Sequence, residues 1–208
     1  MKTFKIFLLI MVATSCSAYP RINLTILRVK DSNTPLKEDL IEAYAFTKKS
    51  FEDIGVDIRL KRLVEVDNLP TTRHYPDIYS YFSSINYRWI NYRLKHNYRR
   101  SVYYVAVPPY NGNEIGGLAF DICNPSGPAS LAIGAMYKPE SLEGYYYLKV
   151  LMAHEVGHLL GLVHNVDNEP NIMKPYLHID YENYRKTGIF PKFKTISKYA
   201  IKRCIRKR

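Results

Sequence analysis

Residues 154–164 read HEVGHLLGLVH, and this stretch decides how the rest of the chain is interpreted. It begins inside a segment that is predicted to be helical and that ends at Gly161. Positions four apart on a helix share one face, so His154 and His158 are expected to present two imidazoles to the same point. Gly161 is free to take a positive φ, which turns the chain and lets His164 return as a third ligand.

Three neutral imidazoles with an open fourth position are typical of a catalytic zinc ion, whereas structural zinc is usually enclosed by four protein ligands. Glu155 stands beside the first ligand and can reach a water on the metal without being a ligand itself. Zinc lowers the pKa of that water to about 7. Glu155 would accept its proton and later deliver it to the leaving amine. The stretch therefore predicts one catalytic Zn²⁺ and hydrolysis of peptide bonds in proteins or peptides.

A histidine on an apolar helix face is more often a core residue than a metal ligand. Here the extended spacing of three histidines, together with a helix that a glycine ends, favours the metal site.

The chain before the motif predicts strands that alternate with helices. Apolar residues at 22, 24 and 26 indicate a first strand, with Asn23 and Thr25 facing outward. A helix is expected to begin after Thr34 as its N-cap and to end before Gly55. The buried stripe of this helix is expected to comprise Leu36, Leu40, Tyr44, Phe51 and Ile54.

The remaining segments complete a β-α-β-α-β order, which favours an α/β fold with a mainly parallel sheet and right-handed crossovers. Later strands are predicted at 56–66, 101–107, 115–122 and 129–136, and later helices from near Pro76 and over 141–160. An irregular region follows the motif. The last helix is expected to turn one face toward the protein body, comprising Phe193, Ile196, Ala200 and Cys204.

The first eighteen residues have the order of a secretory signal peptide. Lys2 and Lys5 precede an apolar run of eight residues at 6–13, and small residues at 15–18 close it. The run is too short to span a bilayer. No later segment contains the about 20 consecutive apolar residues that a membrane-spanning helix needs. We therefore expect a secreted chain with one catalytic domain over 19–208. The alternative is a bacterial lipoprotein that is anchored through Cys16.

Loss of residues 1–18 changes the charge and the cysteine count. The 208-residue chain has a net charge of +11, and without the two lysines 28 basic residues face 19 acidic ones, which gives +9. A content of 47% hydrophobic and 24% charged residues excludes a disordered or collagen-like chain. Only Cys123 and Cys204 remain, and in an oxidising compartment a disulfide between them is the natural inference.

The pattern HExxHxxGxxH, followed by Met173 in the sequence NIMKP at 171–175, resembles the metzincin clan of zinc endopeptidases. The resemblance extends over nearly all of residues 20–208. It implies a twisted, mainly parallel five-stranded sheet with an antiparallel edge strand, a zinc-binding helix, a Met-turn and a C-terminal helix. It also implies that Met173 lies in a tight turn beneath the three histidines.

Within the clan, the chain is most similar to the reprolysin (adamalysin) branch, with the matrixins as second choice. Gly117, Leu118 and Ala119 resemble the edge strand that pairs with an extended substrate in that branch. Cys123 and Cys204 resemble its disulfide between the edge-strand region and the C-terminal helix. The Met-x-Pro sequence at the turn agrees with this branch, although matrixins share it.

Positive charge is concentrated from Arg88 to Arg100 and from Arg185 to Arg208. One interpretation is a solvated face, and the other is attachment to polyanions such as sulfated glycans, anionic membranes or acidic proteins. Nucleic acid is not expected as a partner of a secreted chain without a recognisable nucleic-acid module.

Two hypotheses about function follow from the sequence. The chain is a monomeric, secreted zinc metalloendopeptidase, or it is a basic binding protein that retains a zinc site with little peptidase activity.

Overall fold

The computed structural model describes residues 19–67, 101–108, 116–120, 123, 130–167, 169–175 and 178–207. The predicted signal peptide with Cys16, the helix expected near Pro76 and the basic stretch from Arg88 to Arg100 lie outside these residues. In chain order the described elements are β1 (Arg21–Val29), α1 (Lys37–Glu52), β2 (Asp57–Val66), β3 (Ser101–Val107), β4 (Gly116–Phe120), β5 (Ser130–Ala135), α2 (Leu142–Leu159), α3 (His178–Thr187) and α4 (Ser197–Lys207).

The five strands form one sheet in the order β2-β1-β3-β5-β4. The first four of these strands are parallel to their neighbours, and β4 pairs antiparallel with β5 at the edge. Every residue of β3 is buried, as expected for a central strand that is covered on both faces. The predicted α/β fold, with a mostly parallel five-stranded sheet and an antiparallel edge strand, is confirmed.

Strand β1 is buried on both faces, which corrects one expectation. Ile22, Leu24 and Ile26 are fully buried as predicted, but Thr25 is also buried, at 3% exposure. Thr25 shares the second face of β1 with Leu27, which is 1% exposed, so this face is covered as well, and Asn23 near the start of the strand is half-buried.

Helix α1 begins two residues later than predicted. Thr34 is buried, and its carbonyl accepts a hydrogen bond from the guanidinium of Arg28, so it belongs to the turn before the helix. Leu36 takes the N-cap position, and its backbone N–H donates to the side chain of Asp39 at 2.8 Å. Leu36 is 40% exposed and does not join the predicted stripe, whereas Leu40 is buried within the core.

The C-terminal part of the chain differs from the prediction in two ways. Residues 178–187, expected to be irregular, form α3. Helix α4 starts at Ser197, and its buried stripe comprises Ile201, Cys204 and Ile205. Ile196, expected to be inside, is 72% exposed, because it precedes the first turn and lies off this stripe. Within the described part of the chain, no helix has the length and apolar character that a bilayer span requires.

Candidate metal centre

Helix α2 carries the first two histidines at its C-terminal end. The hydroxyl of Ser141 caps the helix by accepting a hydrogen bond from the N–H of Gly144 at 3.1 Å. The helix packs against α1 and against strands β3, β4 and β5, which fixes its rotation about its own axis. His154 is buried and His158 is half-buried, and their Nε2 atoms lie 3.0 Å apart.

A tight turn after α2 brings the third histidine to the same point. Gly161 has a φ of +86°, and its N–H donates to the carbonyl of His158 at 2.9 Å. A side chain is strained in this region of backbone space, so glycine suits the position. The chain reverses, and Nε2 of His164 lies 3.2 Å from that of His154 and 3.1 Å from that of His158.

The protonation of the rings suits a metal ion. Nδ1 of His154 lies 2.6 Å from the carbonyl oxygen of Ile172, and Nδ1 of His158 lies 2.8 Å from that of Leu162. A carbonyl can only accept, so each Nδ1 carries the proton and each Nε2 presents a lone pair. Lone pairs that face one another at 3.0–3.2 Å repel unless a cation lies among them. Around a tetrahedral zinc ion with Zn–N bonds of about 2.0–2.1 Å, two ligand nitrogen atoms lie about 3.3 Å apart. The spacing of the three Nε2 atoms therefore fits zinc.

Burial keeps the imidazoles neutral. Loss of water contact and, to a smaller extent, the neighbouring His158 lower the pKa of His154 to about 3. Burial also lowers the pKa of His158 and of His164 below the usual range. Neutral imidazole is the form that binds a metal.

The turn at Met173 holds the first and third histidines in place through backbone atoms. The carbonyl of Ile172 accepts the His154 ring proton, and the carbonyl of Met173 accepts the N–H of Asn165, next to His164, at 2.7 Å. The side chain of Asn171 shapes the turn by accepting the N–H of Met173 at 2.8 Å. The predicted Met-turn residue therefore lies in a turn that contacts two ligand-bearing segments.

A buried ion pair supports the same turn from α3. Nζ of Lys174 lies 3.1 Å from Oδ1 of Asp180, and their side chains are only 7% and 5% exposed. Oδ2 of the same aspartate accepts the N–H of Asn171 at 3.0 Å. Both carboxylate oxygens are therefore engaged, as a buried charge requires.

The carboxyl of Glu155 lies under the edge strand. Glu155 is 3% exposed, and burial raises its pKa to about 8. A β-carbon on Gly117 would overlap this carboxyl, so the backbone of β4 passes directly over it. The other two predicted edge-strand residues, Leu118 and Ala119, are half-buried in the same strand. Within the described structure, Oε2 of Glu155 has no hydrogen-bond partner.

The sequence matches no family model and no curated protein. Solved structures resemble the chain by shape. One of them is metalloproteinase-II from Bacteroides fragilis, with a TM-score of 0.63 and 16% sequence identity. The fold is that of a known metalloproteinase. The match covers 93% of this chain and 55% of that protein, so the chain spans only about half of the neighbour's length.

A second buried polar group lies near the carboxyl of Glu155. Tyr104, on β3, is fully buried, and its hydroxyl has no partner among the described residues. A β-carbon on Gly134 would overlap this hydroxyl, and Gly134 is the register partner of Gly117 across β5 and β4. Two facing glycines thus make room for the Tyr104 phenol and the Glu155 carboxyl on the same sheet face.

The disulfide between Cys123 and Cys204 lies against the turn that follows α2. The two Cα atoms are 5.2 Å apart, within the usual range for a disulfide. A β-carbon on Gly161 would stand 3.0 Å from Sγ of Cys123 and 3.4 Å from Cβ of Cys204. The disulfide therefore links Cys123 to α4 and packs against the turn between the second and third histidines.

Sequence reasoning missed the residues that support the site from a distance. Asn171 could have been found, because an Asn two residues before a turn residue is the pattern of an Asx turn. Tyr104, Lys174 and Asp180 gave no such signal, since the Tyr104 hydroxyl meets Gly134 of another strand and Lys174 in the turn pairs with Asp180 of α3.

Proposed function

We propose that the chain is a zinc-dependent metalloendopeptidase. One observation carries the proposal: three Nε2 atoms converge beside a buried carboxyl whose Oε2 has no hydrogen-bond partner among the described residues. His154, His158 and His164 would hold the ion, and a fourth position would stay open. A bound zinc ion would supply Lewis-acid polarisation of a water molecule and of the scissile carbonyl.

Glu155 is the general base and then the general acid of the proposed reaction. Its Oε2 is free to accept a proton, and burial holds its pKa near neutrality, where a group exchanges protons most effectively. Because the β4 backbone covers this carboxyl at Gly117, Glu155 is shielded from bulk water on that side. Its carboxyl is therefore placed to receive a proton and to pass it to the leaving amine.

The edge strand β4 aligns the substrate. Among the described strands, Gly117, Leu118 and Ala119 pair with β5 along one edge only, so their other edge has backbone groups that an extended peptide would engage. The strand passes over Glu155, so a peptide added there would lie beside the histidines. Recognition of the backbone suits a peptidase that cleaves within protein chains.

Met173 and the disulfide give the site its rigidity. Met173 packs beneath α2, and the carbonyls of its turn fix the orientation of His154 and the backbone beside His164. In this proposal the chain belongs to the metzincins, with the reprolysin branch favoured by the disulfide between Cys123 and Cys204.

Secretion and domain organisation complete the proposal. Residues 1–18 would direct secretion and be removed, and residues 19–208 would form one monomeric catalytic domain. The disulfide supports this assignment, because disulfides persist in oxidising compartments.

Two matched variants test the proposal. The purified protein should contain one zinc ion and cleave peptides in a proteome-derived library, and a chelator should abolish cleavage. Glu155→Gln should retain zinc but lose roughly 10²- to 10⁴-fold in turnover, because only the proton carrier is removed. Glu38→Gln, the same change at an exposed position of α1, should leave turnover unaltered. A fully active Glu155→Gln protein, or a chain that binds no zinc, would refute the proposal.

A further inference from the structure

The outward face of α4 combines exposed apolar side chains with cations that form no ion pair with any described residue. We propose that this face, defined as Ile196, Lys198, Tyr199, Lys202 and Arg203, binds anionic lipid membranes. The inference concerns a surface away from the histidines and does not depend on the proposed peptidase activity.

The inward face of α4 is fixed to the protein body. Ile201 is fully buried, and Cys204 and Ile205 are almost completely so. The disulfide from Cys204 to Cys123 adds a covalent attachment. The helix is therefore rigidly mounted, and the direction of its outward face is set by the fold.

Large apolar side chains occupy positions on this face where polar residues would be expected. Ile196 is 72% exposed and Tyr199 is 69% exposed, three positions apart on the same side of the helix start. Tyr19, 59% exposed, lies nearby, because its ring and the end of the Lys198 side chain both come within 4 Å of a β-carbon placed on Gly55. Tyrosine is enriched at membrane–water interfaces, since its ring is apolar and its hydroxyl stays hydrated.

The cations on the outward face of α4 lack the ion pairs that several other cations of the described structure form. On β1 and α1, Lys30 pairs with Asp67, Lys48 with Glu52, and Lys49 with Asp53. By contrast, five cations of the C-terminal segment form no ion pair with any described residue: Lys186, Lys192, Lys198, Lys202 and Arg203.

The composition of the segment explains this difference. Residues 183–208 contain ten Lys or Arg and no Asp or Glu. Among the described residues, acids outside the segment pair only with Arg185 and Lys194. The charge that complements the remaining cations is therefore expected on a partner.

The apolar groups favour a lipid surface over a sulfated glycan. A glycan chain would engage the cations alone and would leave Ile196 and Tyr199 in water. An anionic bilayer satisfies both, because lipid headgroups attract the cations and the apolar side chains enter the headgroup boundary. Near such a surface each Lys or Arg strengthens binding roughly fivefold.

Vesicle sedimentation tests this inference on the full chain. The wild-type protein should bind vesicles of phosphatidylcholine mixed with phosphatidylserine and should not bind phosphatidylcholine alone. Lys202→Gln with Arg203→Gln should weaken binding roughly 20-fold. Ile196→Ser with Tyr199→Ser should weaken it at least about tenfold, because the insertion of apolar groups is lost.

Two control variants match these changes. Lys48→Gln with Lys49→Gln removes two cations that are already paired on α1, and Leu142→Ser removes an apolar side chain that is 59% exposed at the start of α2. Both should bind vesicles as the wild type does. Circular dichroism would verify that every variant is folded.

Three outcomes would overturn the inference. One is equal binding to neutral and anionic vesicles, or binding to neither. Another is retention on immobilised heparin without vesicle binding, which would assign the face to a glycan. The third is vesicle binding that survives Ile196→Ser with Tyr199→Ser, which would show that the apolar groups take no part.

Discussion

The sulfur of Met173 lies 2.7 Å from the point where a β-carbon on Gly157 would stand. Gly157 is on the buried face of α2, directly before His158, so the absence of a side chain lets the Met-turn pack against the helix. Phe193 and Leu162 close the same space at 3.3 and 3.4 Å. The methionine therefore has little freedom to withdraw from this contact.

Substitution Gly157→Ala should displace Met173 and weaken zinc binding about tenfold or more. Alanine favours the helix by about 1 kcal/mol, but the added methyl group pushes on the turn whose carbonyls orient the ligands. Zinc affinity measured by competition with a chelator would check this. Wild-type affinity in Gly157→Ala would mean that Met173 moves aside freely and does not position the ligands.

The buried pair of Lys174 and Asp180 should contribute strongly to stability. Asp180→Asn is expected to lower the free energy of unfolding by about 3–5 kcal/mol, because it leaves a buried lysine without its counter-charge. Glu182→Gln breaks an exposed pair with Arg185 on the same helix and should cost less than about 1 kcal/mol. Urea unfolding of both variants measures the difference, and equal losses would contradict it.

The disulfide between Cys123 and Cys204 closes a loop with a sequence separation of 81 residues. In the chain-entropy model a loop of this length stabilises the folded state by about 4 kcal/mol. Cys123→Ser with Cys204→Ser should therefore unfold at lower urea concentration. Thiol titration of the denatured wild-type protein should detect neither cysteine as a free thiol. Two reactive thiols would contradict the assignment.

Gly134→Ala should destabilise the sheet, because the new methyl group would overlap the hydroxyl of the fully buried Tyr104. Overpacking of this kind costs about 1–3 kcal/mol. The double variant Gly134→Ala with Tyr104→Phe should recover part of the lost stability, since the tyrosine oxygen that overlaps the new methyl group is removed. Thermal unfolding of the two single variants and the double variant would reveal this coupling. Strictly additive effects would mean that the two side chains do not meet.

Stability should depend on pH through Glu65 of β2. A hydrogen bond from Lys37, assisted by Arg28, holds the pKa of the Glu65 carboxyl below its usual range. The folded state binds its proton less tightly than the unfolded state, so the stabilisation exists above the unfolded pKa of about 4.3 and is lost as pH falls. Glu65→Gln should therefore lower Tm at pH 7, and the difference from wild type should shrink below about pH 4. A difference that stays constant with pH would contradict this.

The parts of the fold that depend on local sequence were predictable. The zinc motif, the turn at Gly161 and the central strand β3 each depend on spacing or apolar content within a short segment. The sequence also indicated the pairing of Cys123 with Cys204, because no other cysteines follow the predicted signal peptide.

Expectations failed where a side-chain contact or a helix boundary outside the hydrophobic pattern decides the outcome. Thr34 does not cap α1 because Arg28 of β1 holds it in a turn, and Ile196 is outside because α4 begins one residue later. The sequence did not predict the pair of Lys174 and Asp180, because neither residue lies in a local pattern that is typical of a buried charge.

The ligands and the carbonyls that orient them all lie between residues 154 and 173. Closing a short loop costs less conformational entropy than closing a long one, and the cost rises with loop length. The sheet instead joins β1 to β3 across a long stretch of chain, so its pairing is the slower and more costly step. A metal ion could therefore bind to a segment that organises itself early, and its loss would loosen that segment while the sheet stays intact.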